Sequence, residues 1–299
     1  MAATVVTVNR DPARRGMLGE VLGLFKLRIG FVITFTALAG LAVTPGARLT
    51  AWQTAVLALA VLVSSAAAGA FNQYYERDLD RAMARTRGRA FVTGALRHGP
   101  AWLALILALL ALSVAAAWYA LNAWSALYVF LGAFFYAVVY TVWLKRRSAM
   151  NIVIGGLAGS WAVLAGSAAA DPALGAVPLA LALVLFLWTP PHFWSLAIAF
   201  REDYAAARVP MLPVVIGDKR AALAILASSC ALVAASLVPV AFGMGAIYLT
   251  ASVAGGAYFI FRAWRLWRSP GRGTAMASFH ASLMQLTLVL CGAMLDTGL

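Results

Sequence analysis

Apolar residues gather in nine stretches along this chain, with the polar and charged residues left in the gaps between them. A helix that crosses a bilayer needs about 20 consecutive apolar residues. The stretches run over 28–45, 51–72, 101–118, 123–143, 152–170, 176–198, 220–240, 244–264 and 276–295. This pattern predicts an all-α fold, a polytopic membrane protein built as a nine-transmembrane-helix bundle. It divides the chain into an amino-terminal tail, 1–24, and one transmembrane domain, 25–299. No soluble domain of any size fits between the stretches. The longest polar segments are roughly 73–100 and 199–219.

Composition agrees. Of 299 residues, 64% are hydrophobic and 11% charged, where soluble domains carry about a quarter charged residues. Met1 to Glu20 holds no apolar core of the length a secretory signal needs, so no signal peptide is expected there. Few serines, with Asp11 and Glu20 present, argue against a mitochondrial transit peptide. Cys230 and Cys291 lie inside apolar stretches without metal-ligand spacing and are read as packing residues.

A net charge of +13 would suggest nucleic acid in a soluble protein. Here topology explains it, and no nucleic-acid partner is expected. Arg10, Arg14, Arg15, Lys26 and Arg28 precede or open the first stretch. Arg77, Arg81, Arg85, Arg87, Arg89 and Arg97 follow the second, and Lys145, Arg146 and Arg147 the fourth. Arg201, Arg208, Lys219 and Arg220 follow the sixth, and Arg262, Arg265, Arg268 and Arg272 the eighth. With alternating spans, 22 of the 23 basic residues fall on one side and only Arg48 on the other. The positive-inside rule makes that side cytoplasmic, with the amino terminus inside and the carboxyl terminus outside.

The ten acidic residues carry more chemical information. Asn72, Glu76 and Asp80 are spaced four apart where the second stretch ends. If the helix continues, they line one face, a turn apart. Such oxygens suit a hard divalent cation, and Mg²⁺ is commonly held by one or two carboxylates plus substrate phosphates. Asp78 lies off this face and either pairs with Arg81 or Arg85 or serves a second ion. A second acidic pair, Glu202 and Asp203, precedes Tyr204 on the same side, more than 120 residues away. Two facing carboxylate clusters would hold Mg²⁺ around one diphosphate. The plainer alternative is that these are loop carboxylates neutralising nearby arginines. The basic residues around them suit phosphate oxygens, although membrane anchoring alone also accounts for any single arginine.

The sixth stretch contains Trp188-Thr189-Pro190-Pro191-His192-Phe193-Trp194. Two successive prolines remove two backbone donors and are expected to kink or interrupt the helix. His192 follows them inside the membrane, where an ionisable group is a functional candidate. His280 lies near the inner end of the ninth stretch. Either histidine is read as touching a substrate, ligating iron or bonding a neighbouring helix. Val209-Pro210-Met211-Leu212-Pro213 is read as an interfacial lid. Gly155, Gly156 and Gly159 are read as close helix packing.

Taken together, these motifs resemble the UbiA superfamily of intramembrane aromatic prenyltransferases. The resemblance rests on the Asn72, Glu76, Asp80 ladder, Met83, Arg85-Thr86, Arg89 and Trp143-Leu144-Lys145-Arg146-Arg147. It continues through Asn151 to Gly156, Trp188 to Trp194, Asp203-Tyr204, Val209 to Pro213 and Phe279-His280, and spans roughly residues 20 to 296. Departures include Glu76 where the superfamily often has Asp, Ala90 after Arg89 where Pro is usual, and Ser148-Ala149-Met150 in place of a Thr-Pro-Gln type stretch. The second acidic motif lacks widely spaced aspartates.

The resemblance implies a membrane-bound, Mg²⁺-dependent enzyme of a bacterial inner membrane. It points to the branch that moves a farnesyl group from farnesyl diphosphate to a vinyl group of haem B, giving haem O. It implies that Asn72, Glu76, Asp80 and Asp203 are catalytic and that Asn72, Glu76, Asp78, Asp80, Glu202 and Asp203 hold metal. Arg85, Arg89, Lys145 and Arg146 would bind the diphosphate, and His192, His280 and Tyr204 the haem. Membrane lipid would surround the bundle, and haem-modifying or terminal oxidase assembly proteins would receive the product. Two alternatives stay open: an aromatic quinone precursor as acceptor, or, in another class, a secondary transporter with broken helices.

Overall fold

The computed structural model describes residues 16–298. Among them there are helices and turns and no strand. The chain begins with α1 (Met17–Leu24) and α2 (Leu27–Ala42), followed by α3 (Ala51–Tyr75), α4 (Arg77–Ala82), α5 (Ala90–Thr93) and α6 (Pro100–Ala120). After α7 (Ala123–Phe134) comes a π-helical segment, Phe135–Leu144. Then follow α8 (Asn151–Gly155), α9 (Leu157–Ala170), α10 (Ala176–Ala199), α11 (Arg201–Ala206) and α12 (Leu212–Ile216). The last elements are α13 (Asp218–Leu237), a 3-10 turn (Val238–Phe242), α14 (Ala246–Arg268) and α15 (Arg272–Asp296). Among the described residues, eight helices are long and apolar enough to cross a membrane, and the α1–α2 pair, bent by 41°, makes a ninth when counted as one span. Neighbours in sequence pack against one another around the bundle, and α15 against α2 closes it.

The first expected span thus begins with a break. Lys26, between α1 and α2, has φ 47° and ψ 42°, a left-handed conformation that costs a non-glycine residue about 1–2 kcal/mol. The bend aims its side chain inward. Leu24, at the end of α1, is buried against Ala67, Ala70 and Phe91, so this part of the expected tail is a docked helix. The rest of that tail, including Arg10, Arg14 and Arg15, lies outside the described residues.

Two spans differ from a simple helical reading. The fourth changes from α to π at Phe135. Its signature is a bond from Lys145 N to the Tyr140 carbonyl, five residues back. The sixth is not interrupted: α10 runs continuously through Pro190 and Pro191. Both prolines are buried among packed helices. Hydroxyls occupy carbonyls on either side, Thr189 donating to Leu185 O at 3.0 Å and Ser195 to Pro191 O at 2.7 Å. Packing against neighbouring helices is one way a membrane helix tolerates proline.

Glycines set several close approaches. A Cβ at Gly40 would strike the Val163 backbone, and one at Gly166 the Ala37 carbonyl, so α2 and α9 meet backbone to backbone. Gly155 and Gly156 instead abut side chains, those of Tyr140 and Thr189. The expected packing role of the cysteines fails for Cys230, which is exposed on the outside of the bundle; Cys291 is half-buried.

Candidate functional site

The site forms where α3 passes into α4. Glu76 is the hinge residue, with φ −92° and ψ 18°. The helical bonds nevertheless carry across it: Glu76 N donates to Asn72 O at 3.0 Å, and Asp80 N to Glu76 O at 2.8 Å. Asn72, Glu76 and Asp80 therefore keep one common face, and they are 2%, 0% and 2% exposed. Buried charges of this kind must be paired, and each group has its own cation. Lys145 Nζ lies 2.5 Å from Glu76 Oε2. Arg89 Nη1 donates to both Asp80 oxygens, at 2.6 and 2.7 Å. Lys26 Nζ donates to Asn72 Oδ1 at 2.8 Å and to the Tyr136 hydroxyl at 3.3 Å.

The π segment makes this possible. Tyr136 and Lys145 are nine residues apart, about two and a half turns of an α-helix, which would put them on opposite faces. With bonds reaching five residues back, both meet the ladder, and so does Thr141 between them. Asn72 Nδ2 donates to Thr141 Oγ1 at 3.1 Å, and that hydroxyl donates to Tyr136 O at 2.8 Å.

Asp78 faces the other way. It is exposed and takes both guanidinium nitrogens of Arg146, at 2.8 and 2.9 Å, rather than pairing with Arg81 or Arg85. That hydrogen-bonded pair holds the Asp78 carboxyl below the usual carboxylate range and pushes the Arg146 guanidinium up.

The second acidic pair reaches the same region through the loop after α4. Asp203 accepts from Ala84 N at 3.2 Å and Arg85 N at 3.1 Å, while Glu202 is exposed. The Arg85 guanidinium stacks over the Phe200 ring at 5.5 Å instead of meeting a carboxylate. Tyr204 is buried with Leu79, Met83 and Ile152, and Val209 and Met211 belong to the same cluster. The segment read as a lid is thus packed against α4. His192 is buried and hydrogen-bonds Ser282, whereas His280 is exposed.

Sequence reasoning missed Lys26 as a site residue, counting it only toward the charge asymmetry, and it missed Tyr136, Tyr140 and Thr141. The available signal was a hydroxyl, Thr141, inside an apolar stretch. Asn151 was noted only within a motif. Its Nδ2 donates to Lys145 O at 3.4 Å, and its Oδ1 is buried without a partner.

Among the described residues, no three His, Cys, Asp or Glu side chains are gathered as a ready metal cage. Glu76, Asp78 and Asp80 are each paired with a base, and Asp203 accepts from two backbone N–H groups. The donors still suit a hard cation, being carboxylate and amide oxygens. Glu76 Oε1 is buried with no hydrogen-bond partner, an orphaned acceptor that a cation would satisfy. Interleaved acids and bases of this kind suit a ligand that itself brings both signs of charge.

A helical membrane bundle with this ladder at one end is the architecture of a prenyltransferase, and the chain belongs to the UbiA prenyltransferase family, matched over residues 33–289. It is 56% identical over 279 residues to protoheme IX farnesyltransferase 2 of Paramagnetospirillum magneticum, covering 93% of this chain and 97% of that one. A solved digeranylgeranylglyceryl phosphate synthase superposes with a TM-score of 0.77 at 17% identity, covering 94% of this chain and 98% of that one. A UbiA homologue from Archaeoglobus fulgidus bound to DMAPP and Mg²⁺ superposes with a TM-score of 0.71 at 20% identity, covering 90% and 99%. These solved structures share the fold.

Proposed function

We propose that this protein transfers the farnesyl group of farnesyl diphosphate to a vinyl group of haem B, with addition of water, giving haem O. The prenyl-diphosphate half rests on one observation: a buried Asn72, Glu76, Asp80 ladder in which Lys26, Lys145 and Arg89 each hold one member. The acceptor half is supported by the 56% identical relative named for protoheme IX farnesylation.

In this reading the allylic C–O bond breaks and its electron pair leaves with the diphosphate. A C–C bond forms between farnesyl C1 and the terminal vinyl carbon. The cation left beside the porphyrin is captured by water, which loses a proton and becomes the hydroxyl. Lys145, Arg89 and Lys26 leave their present partners for diphosphate oxygens as negative charge grows there, with Arg85 and Arg146 nearby. Asn72, Glu76 and Asp80, with Asp203, would hold Mg²⁺, which supplies further neutralisation of the leaving group. Asp78 and Glu202 are candidates for a second ion. Tyr204, His192 and His280 contact the haem, and the farnesyl chain lies among apolar side chains between the spans.

The bacterial relative supports a cytoplasmic membrane of a bacterium, and the basic-residue asymmetry supports an orientation with the amino terminus and the site on the cytoplasmic side and the carboxyl terminus outside. Membrane lipid surrounds the bundle, and haem-modifying or terminal oxidase assembly proteins are the natural recipients of the product. The test is to incubate the purified protein with haem B, farnesyl diphosphate and Mg²⁺ and weigh the pigment. A mass gain of farnesyl plus hydroxyl is expected. No gain overturns the reading, and a gain on 4-hydroxybenzoate instead selects a quinone-type acceptor.

A further inference from the structure

His192 is held more tightly than a histidine that merely fills space. Its ring lies between the indole of Trp188, with centroids 4.1 Å apart, and the ring of Phe279, at 4.3 Å. Both pairs are nearly parallel, at 20° and 27°. Phe193 meets it edge to face at 5.0 Å. Two ring faces are therefore covered, by residues from α10 and α15.

The tautomer is assigned from the hydrogen-bond partners. His192 Nδ1 is 2.7 Å from Ser282 Oγ. That hydroxyl donates its single proton to Phe279 O, also at 2.7 Å. With the hydroxyl proton given to that carbonyl, Oγ accepts from His192, which assigns the hydrogen to Nδ1 and a bare lone pair to Nε2. The same serine's carbonyl accepts from Trp188 Nε1 at 2.8 Å, pinning the neighbouring clamp residue. Among the described residues, no group hydrogen-bonds His192 Nε2. A buried neutral imidazole with one nitrogen anchored and the other free is the usual state of a metal-ligating histidine. Its anchored N–H fixes the tautomer and the ring direction.

The location suits an acceptor site. Phe193, in edge contact with His192, also packs against the buried cluster that contains Leu79, Met83 and Tyr204. Phe193 thus joins the histidine to the cluster that holds Leu79, the sequence neighbour of Asp80. Imidazole nitrogen is a natural ligand for porphyrin iron.

We infer that His192 Nε2 is an axial ligand to the iron of the porphyrin acceptor and that Ser282 is the positioning residue that sets its tautomer. This rests on the proposed haem acceptor and adds to it the atom that holds the iron. The iron anchors the macrocycle, and the vinyl group is thereby held at a fixed distance from the farnesyl carbon.

The test compares two probes on the full-length protein in nanodiscs: haem B and metal-free protoporphyrin IX, which has the same vinyl groups but no iron. The wild type is expected to show a histidine-ligated Soret band and to bind haem B more tightly than protoporphyrin. In His192→Ala the affinity ratio falls to about one, and added imidazole restores the band. Ser282→Ala weakens haem binding about 10–100-fold, the usual effect of losing a ligand's orienting partner. Ser282→Thr, which keeps the hydroxyl, retains the ratio. Because protoporphyrin binding reports folding in every variant, a misfolded protein is recognised by losing both probes, and Ser282→Ala then carries the test. An unchanged Soret band and ratio in folded His192→Ala, or in Ser282→Ala, overturns the inference. A wild type that forms haem O while His192→Ala keeps its band sinks only this inference. A wild type that forms no haem O sinks the reading beneath it.

Discussion

Lys145 Nζ sits 2.5 Å from one oxygen of Glu76, while the other oxygen of that buried carboxylate has no partner at all. The pair joins α3 to the end of the π segment, and neither residue is more than 9% exposed. Lys145 is thus both a structural counter-ion and a cation within reach of the place where a leaving group would develop charge.

These two roles separate in a mutant cycle. Lys145→Met leaves Glu76 charged and unpaired, and breaking a buried pair this way costs about 3–5 kcal/mol. Adding Glu76→Gln removes the stranded charge. Thermal unfolding of the double variant is expected to recover most of the loss while farnesyl transfer stays absent. Recovery of activity together with stability would show that the pair is structural alone.

Asp80 and Arg89 form the second such pair. Asp80→Ala is expected to abolish turnover while the protein still inserts and folds, and raising Mg²⁺ is expected not to restore it. Arg89→Ala removes a cation from the leaving-group side and should lower kcat about 10²–10³-fold, the loss found when one stabilising donor is removed. Steady-state kinetics on farnesyl diphosphate measure both. Full activity in Asp80→Ala contradicts the metal assignment.

The Asp78–Arg146 pair gives a pH signature. Its folded carboxyl titrates below the unfolded value of about 3.9. The stabilisation it gives is therefore complete above that value and is lost as the pH falls through the lower, folded pKa. The Asp78 side chain is 69% exposed, so solvent screening keeps the effect within about 1 kcal/mol. Melting temperatures between pH 5 and pH 3 are expected to fall less steeply in Asp78→Asn than in the wild type. Parallel curves would remove the pair from the acid response.

The α2–α9 contact has no room for a side chain. Gly166→Ala would drive a methyl into the Ala37 carbonyl, and forced overpacking costs about 1–3 kcal/mol. Gly159→Ala, where the nearest atom is Leu185 Cδ1 at 3.8 Å, serves as the control. The first variant is expected to melt lower and the second to melt like the wild type.

Much of this molecule can be read along the chain because the bilayer makes it readable. Spans must satisfy their own backbone, so nine apolar runs mean nine helices whatever packs against them. The segregation of 22 basic residues follows from the same alternation. The ladder was visible too, because residues four apart share a helix face even across the hinge at Glu76. Less visible was α10. Pro190-Pro191 reads as a break, yet α10 runs through both prolines where they are buried among packed helices.

Which cation meets which carboxylate could not be read from local pattern. Asp78 turned to Arg146, 68 residues away, instead of to its helical neighbours. Lys26 entered the site through a left-handed bend, and Tyr136 and Lys145 share a face only because the fourth span changes from α to π. Hydrophobic spans, charge asymmetry and the acid ladder are properties of short segments, and these the sequence determined alone. Ion pairing, the π segment and the tautomer of His192 depend on what a distant helix brings within about 3 Å, and only the packed bundle decides that.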